Sequence, residues 1–236
     1  MKKILITLAV LGMVSSFLIT SSLAWENKIG IGSDYSTGND NNLAITALGE
    51  TKRKTEINKF SLSGIYTYSE KDYDKDAERI YIEQEFKQDL DVQFYWFADS
   101  SVEYNLEENL ERRIILDVGP GFYLYKDKNL EVGLEAGCSY KIEKYDNQIL
   151  DDDAVPRLAQ VLDYDTELFD VKQSISYYPD IENLHNYMII SKLYVDVLIY
   201  KGLGVGIKAK DTYYSNPVID NKKNDLSISS LLTYSF

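Results

Sequence analysis

The 236-residue sequence has one cysteine and one histidine. A lone Cys138 cannot close an intramolecular disulfide, and one Cys with one His cannot assemble the usual zinc sets. Proline is scarce at 4 residues and glycine modest at 13. No Pro-rich or Gly/Ser-rich stretch divides the chain, so a single domain is expected. Beyond residue 24 no apolar run is long enough for a membrane-crossing helix, and no 3.6-residue periodicity appears. Positive charge is also short: 25 Lys and Arg face 38 Asp and Glu, a net charge of −13. Such a surplus repels phosphates, which excludes nucleic acid as a partner.

The first 24 residues differ from the rest. Lys2 and Lys3 precede a mostly apolar stretch over 4–20, and Ser22-Leu23-Ala24 offers small residues where a signal peptidase cuts. The expectation is a signal peptide over 1–24, export through the Sec pathway, and a mature domain over 25–236. The leader holds two basic and no acidic residues, so removing it takes the net charge from −13 to −15. Tyrosine is abundant, with 20 residues. It favours strands, and its amphipathic ring suits the boundary between lipid and water.

Strict two-residue alternation recurs along the mature chain, the mark of strands with two unlike faces. In 224–236, Leu226, Ile228, Leu232, Tyr234 and Phe236 share one face, opposite Asp225, Ser227, Ser229, Thr233 and Ser235. Segments 130–142 and 92–104 alternate as cleanly. Twelve strands are predicted near 26–37, 42–52, 56–69, 77–88, 91–104, 111–125, 129–145, 154–168, 170–180, 186–200, 203–214 and 224–236. Short turns at 53–55, 88–90, 126–128, 169 and 201–202 alternate with longer polar loops at 70–76, 105–110, 146–153, 181–185 and 215–223. Only the first connection, 38–41, breaks the pattern.

An even strand number, sorted connections and strand-end aromatics (Tyr66, Tyr68, Phe122, Tyr123, Tyr213, Tyr214) point to an all-β fold. The expected form is a transmembrane antiparallel up-and-down β-barrel of about twelve strands in the cell outer membrane. The other reading is a soluble periplasmic β-sandwich acting as a binding module, since periodicity alone does not separate the two. In a barrel the charged face lines the lumen. The candidates are Arg79, Asp99, Glu103, Arg113, Asp117, Glu131, Glu135, Arg157, Asp163, Lys192, Asp196, Lys208 and Lys210. Asp34, Glu83, Glu85, Asp165, Lys172 and Asp225 share that face. These charges suit a pore for small ions or solutes, and equally a plugged barrel whose ion pairs fill the lumen. If the lumen is open, the acidic excess favours cations.

The order of several short stretches resembles the salt-induced outer-membrane protein family, the YdiY-like domain-of-unknown-function group. They are GSDYSTGN at 32–39, YTYSEKD at 66–72, VGPG at 118–121, AGCSY at 136–140, SNP at 215–217, KND at 223–225 and TYSF at 233–236. The resemblance implies an outer-membrane barrel, linked by name to salt stress, and brings no substrate, cofactor or catalytic residue with it. Tyr234 and Phe236 resemble the terminal signal read by the barrel-assembly machinery. That implies the machinery and periplasmic chaperones as partners during biogenesis, with the lipid bilayer and lipopolysaccharide as the final surroundings.

Enzymatic chemistry finds little support in the sequence. His185 falls in a polar loop with nothing like a nucleophile elbow around it. Asp151-Asp152-Asp153 could attract a divalent cation, but a solvated acidic tip explains it as well. Gly119-Pro120-Gly121 reads as a strand bend rather than a phosphate loop, and Cys138 as a small apolar residue on the lipid face. No catalytic, metal or cofactor residues are assigned, and no enzyme is expected.

Overall fold

The alternating segments pair into one closed sheet. In the computed structural model, residues 25–37, 42–71, 74–146, 148–217 and 221–236 are described. Residues 1–24, expected to be a signal peptide, lie outside them, as do 38–41, 72–73, 147 and 218–220. The strands are β1 (Glu26–Thr37), β2 (Asn42–Lys54), β3 (Asn58–Lys71), β4 (Asp74–Asp89), β5 (Phe94–Asn105) and β6 (Leu110–Lys126). They continue with β7 (Leu130–Tyr145), β8 (Gln148–Asp165), β9 (Phe169–Pro179), β10 (Tyr187–Tyr200), β11 (Leu203–Tyr214) and β12 (Asn224–Ser235). Each pairs antiparallel with its sequence neighbours, and β1 pairs with β12 to close a twelve-stranded barrel. Closure leaves no sheet edge, so the sandwich alternative is set aside.

The seam runs from Lys28↔Ser235 to Thr37↔Leu226. Two further backbone bonds tie Asn27 to Phe236, 3.1 Å and 2.9 Å long. The chains approach closely here: a Cβ on Gly32 would sit 1.7 Å from the Ser230 carbonyl oxygen. Only glycine fits such a contact.

The outer face is apolar and exposed. Ile31, Leu116, Val118, Leu158 and Leu232 are each about half accessible or more, in a band that circles the barrel. Water would penalise such a continuous belt; lipid does not. Aromatic rings border it. On the side of the chain termini Trp25 meets Phe60 at 5.8 Å, Phe94 meets Phe122 at 5.2 Å, and Tyr234 stacks near Phe236 at 6.1 Å. On the opposite side tyrosines dominate, with Tyr187 between Tyr177 at 5.5 Å and Tyr213 at 6.0 Å. Phe94 and Tyr104 stand ten residues apart on β5. At about 3.3 Å per residue and a tilt near 40°, that is ~25 Å along the membrane normal, the height of a lipid-facing band. Tyr123 and Tyr214, grouped by sequence with the strand-end aromatics, point inward instead.

Four turns on the terminal side share one device. Thr55, Asp91, Asp127 and Thr166 each accept a side-chain hydrogen bond from the backbone N–H three residues on, at 2.7–2.9 Å. Asp and Thr do this readily, which holds a tight reversal without glycine. At Asp127 the backbone N–H groups of Leu130 and Asn129 hold the carboxyl below its usual range.

The connections on the other side differ from the sequence reading. Strands β3 and β4 reach to Lys71 and Asp74, and β7 and β8 to Tyr145 and Gln148. The expected loops at 70–76 and 146–153 are therefore mostly hairpin, and Asp151 to Asp153 lie within β8. Above the lipid both faces of a strand are wet, so alternation fades while the hydrogen-bond ladder continues. A long connection remains at 180–186. The β8–β9 turn also moves: Thr166 caps it, and Phe169 begins β9.

Candidate functional site: the barrel interior

Every second residue of each strand points inward, and those positions carry charge. Contacts between strands that are not neighbours have to cross the interior, and many do so. On the loop side Arg113, 1% exposed, is a hub. Its guanidinium donates to Glu103 at 2.6 Å, Glu143 at 2.7 Å and Glu108 at 3.0 Å. Glu103 also receives Arg79 at 3.0 Å and Lys210, from β11, at 2.6 Å. Tyr214 donates to Glu143 at 2.6 Å.

Nearer the middle Arg157 is the second hub. It reaches Glu135 at 2.8 Å, Asp117 at 3.2 Å and Asp99 at 3.8 Å. Tyr178 and Ser139 donate to Asp117, and Tyr95 and Lys87 to Glu135. Lys192 crosses from β10 to Glu83 on β4. The turn side is richer in lysine. Lys28 bonds Asp196 at 2.5 Å, Lys52 bonds Asp170 at 2.5 Å, and Lys59 bonds Glu131. Asp196 also accepts from Thr233 at 2.9 Å, and Lys208 lies 3.5 Å from the Ser63 hydroxyl. Asp163 lines the turn-side cavity beside them.

The thirteen residues singled out from sequence thus divide among three interior levels. Sequence reasoning passed over several of their partners. Lys28, Glu50, Lys52, Lys59, Lys87, Glu143 and Asp170 all sit on the inward register, and continuing each alternation to the strand end would have found them. Glu108 gave no periodic signal, because it enters the lumen from the 106–109 connection. Aromatic residues lie on the inner face as well as the outer. Tyr81, Tyr95, Phe97, Tyr123, Tyr145, Tyr178 and Tyr194 are buried inside. A narrow barrel needs bulk as well as charge pairs, and rings accept cations on their faces. Arg157 lies 4.7 Å from the Phe97 centroid and Lys126 4.2 Å from that of Tyr123.

Inner-face glycines make room for these rings. A Cβ on Gly121 would lie 2.2 Å from the Tyr95 ring, and one on Gly137 would lie 3.0 Å from Phe97. The stretch 119–121 accordingly lies within β6, beneath side chains rather than around a phosphate. Ile115, Val155, Tyr178, Met188 and Ile190 form an apolar cluster inside the barrel.

The remaining space is uneven. A loop-side vestibule of about 280 Å³ is lined by Glu108, Glu143, Asp225, Tyr145 and Tyr214. A turn-side vestibule of about 180 Å³ is lined by Lys59, Lys172, Lys208, Glu50 and Asp163. Between them, around Arg157, Arg113, Glu103 and Lys192, the cavity shrinks to about 40 Å³, room for water but not for a sugar. Each level leaves a buried carboxylate oxygen without a hydrogen-bond partner: Asp225 Oδ2, Asp99 Oδ1 and Asp163 Oδ1.

The other sequence candidates lie outside this interior. His185 is exposed in the 180–186 loop, its backbone N–H donating to Asn183 Oδ1 at 3.2 Å. Cys138 is exposed on the outer face.

Among solved structures, the fold is similar to the NanC porin, with a TM-score of 0.54 and 11% identity over 87% of this chain and 98% of that one. The translocator domain of autotransporter NalP from Neisseria meningitidis has a TM-score of 0.49 and 12% identity, covering 98% and 95%. The KdgM porin has a TM-score of 0.47 and 10% identity, covering 88% and 99%. These likenesses concern the fold alone. No curated protein matches the sequence. A family described as "Protein of unknown function, DUF481" matches residues 29–236.

Proposed function

The chain belongs to that family of unknown function, and from this premise we propose that it is an outer-membrane pore for water and very small ions, with a preference for cations. The waist carries the reading: a cavity of about 40 Å³ separates two larger vestibules, which admits a dehydrated ion and rejects a sugar. The charge balance supplies the sign. Five carboxylates and two lysines line the loop-side vestibule, a lining that raises the local concentration of cations.

Planar-bilayer recording of the refolded protein tests this. Small steps with a reversal potential toward the cation equilibrium are expected, without block by oligosaccharides. Large, anion-selective steps would overturn it. A second reading, a plugged envelope barrel, draws on the closely paired charges at the waist. It predicts no steps from protein whose gel mobility shifts on heating.

The same proposal covers biogenesis. Residues 1–24 direct export through the Sec pathway, and lipopolysaccharide surrounds the loop side. Tyr234 and Phe236, outward and stacked, serve as the signal for the barrel-assembly machinery after periplasmic chaperones deliver the chain. Deleting Phe236 should lower the heat-modifiable fraction in outer membranes; an unchanged fraction would remove that role. The link to salt stress predicts that a deletion strain grows poorly at high osmolarity, and growth equal to the parent would dismiss it.

A further inference from the structure

The loop-side vestibule holds two buried polar atoms that no basic or amide donor of the barrel reaches. Thr212 on β11 and Asp225 on β12 are directly paired across the ladder, both pointing inward. Thr212 is 1% exposed and Asp225 8%, yet Thr212 Oγ1 and Asp225 Oδ2 have no hydrogen-bond partner. Both residues line the same cavity of about 280 Å³. A buried carboxylate oxygen left in this state is costly, and a donor entering the cavity would recover that energy.

The neighbours define the donor. Glu108 lies within hydrogen-bonding reach of Asp225. Its own carboxylate is already committed, one oxygen to Asn105 at 2.9 Å and the other to Arg113 at 3.0 Å. Arg113 and Arg79 stand behind this acidic pair and repel a compact double charge. Among the described residues no group of three or more His, Cys, Asp or Glu is arranged to hold a metal ion. Part of the wall is Tyr145, Tyr178, Tyr214 and Met188, with Lys141, Asp153 and Asp180 farther around it; the rings and the methionine suit hydrocarbon and the faces of cations. Acceptors at one end and rings along the sides match a charged nitrogen carrying N–H groups and a short carbon chain.

We propose that the loop-side vestibule binds a small organic ammonium ion, whose N–H groups donate to Asp225 Oδ2 and Thr212 Oγ1 while its methylenes pack on Tyr145 and Tyr214. Binding of this kind needs the barrel but not conduction, so it stands or falls separately from the pore. It also makes the vestibule selective for a chemical class, beyond a general attraction for positive charge.

The test is isothermal titration of the refolded protein in detergent with 1,4-diaminobutane, its folded state checked by heat-modifiable mobility. Saturable binding is expected that NaCl and MgCl₂ at matched ionic strength do not reproduce. Asp225→Asn should weaken it by at least about tenfold, and Thr212→Val by about fivefold. Asp163→Asn, in the other vestibule, should leave it unchanged. No saturable heat, equal binding of Mg²⁺, or an Asp225→Asn protein that binds like the parent would overturn the proposal. If Asp225→Asn does not fold, Thr212→Val decides, and an unchanged affinity there overturns it. Loss of binding in Asp163→Asn to the same extent would also overturn it, by showing a diffuse charge effect.

Discussion

Arg113 is almost wholly enclosed and holds three carboxylates at once. Shortening it to an uncharged side chain leaves Glu103, Glu108 and Glu143 competing for Arg79, Lys141 and Lys210. Breaking a buried charge set in this way typically costs about 3–5 kcal/mol, so Arg113→Met should lower the urea midpoint of the folded barrel sharply. Tyr95 gives a second test through volume rather than charge. Gly121→Ala places a methyl where the Tyr95 ring lies, and overpacking of this kind costs about 1–3 kcal/mol. Adding Tyr95→Ala should recover part of that loss, a non-additivity that a double-mutant cycle in urea would measure. The inward charge of Arg113 was legible from alternation, because Arg113, Ile115 and Asp117 share a register. That Gly121 accommodates Tyr95 was not. The two residues are 26 positions apart, and their contact depends on which strands neighbour each other.

Strand number and order follow closely from the two-residue period, and the twelve observed strands are the twelve expected ones. The departures fall where the period carries no information. Segment 146–153 shows no alternation of apolar and polar residues, Ile149 and Leu150 being adjacent, so the pairing of its part in β8 is invisible to a hydrophobic pattern. The turns are the reverse case, with a signal present but unread. Thr55, Asp91, Asp127 and Thr166 occupy equivalent first positions, four residues wide, at one end of the barrel. Replacing Asp127 with Ala should lower the refolding yield in lipid vesicles, while Asp127→Asn, which keeps an acceptor oxygen, should not. The pH dependence has a definite sign. Backbone donors depress the folded carboxyl below its unfolded value. The contribution is therefore full above the ordinary carboxylate range and fades as pH falls through the lower, folded value. The stability curves of the parent and Asp127→Asn should therefore differ in slope only in that range, the parent losing its added stability as pH falls through it.

At the scale of the molecule, the outer belt makes a claim about solvent. Val118 is 54% exposed near the middle of the band. An arginine there faces the centre of the hydrocarbon and should cost about 2–4 kcal/mol of folding free energy in bilayers. A soluble protein would accept the same change with little loss. Equilibrium refolding of Val118→Arg into phospholipid vesicles measures the difference, and a cost near zero would contradict membrane insertion. The residues of the lumen belong to the same scale, since Lys28, Lys52, Lys192 and Lys210 each reach a carboxylate on a strand that is not a sheet neighbour. That arrangement is why the interior charges could be enumerated from sequence but not matched with one another.

The seam between β1 and β12 also sets a timetable. Lys28 and Ser235 are direct neighbours in the sheet yet leave the ribosome at opposite ends of synthesis. The first strand therefore waits through the synthesis of all the others with one flank unanswered, an open template for any extended chain it meets. The β1–β12 pairing can form only after every strand between them has been made, however early the intervening hairpins zip.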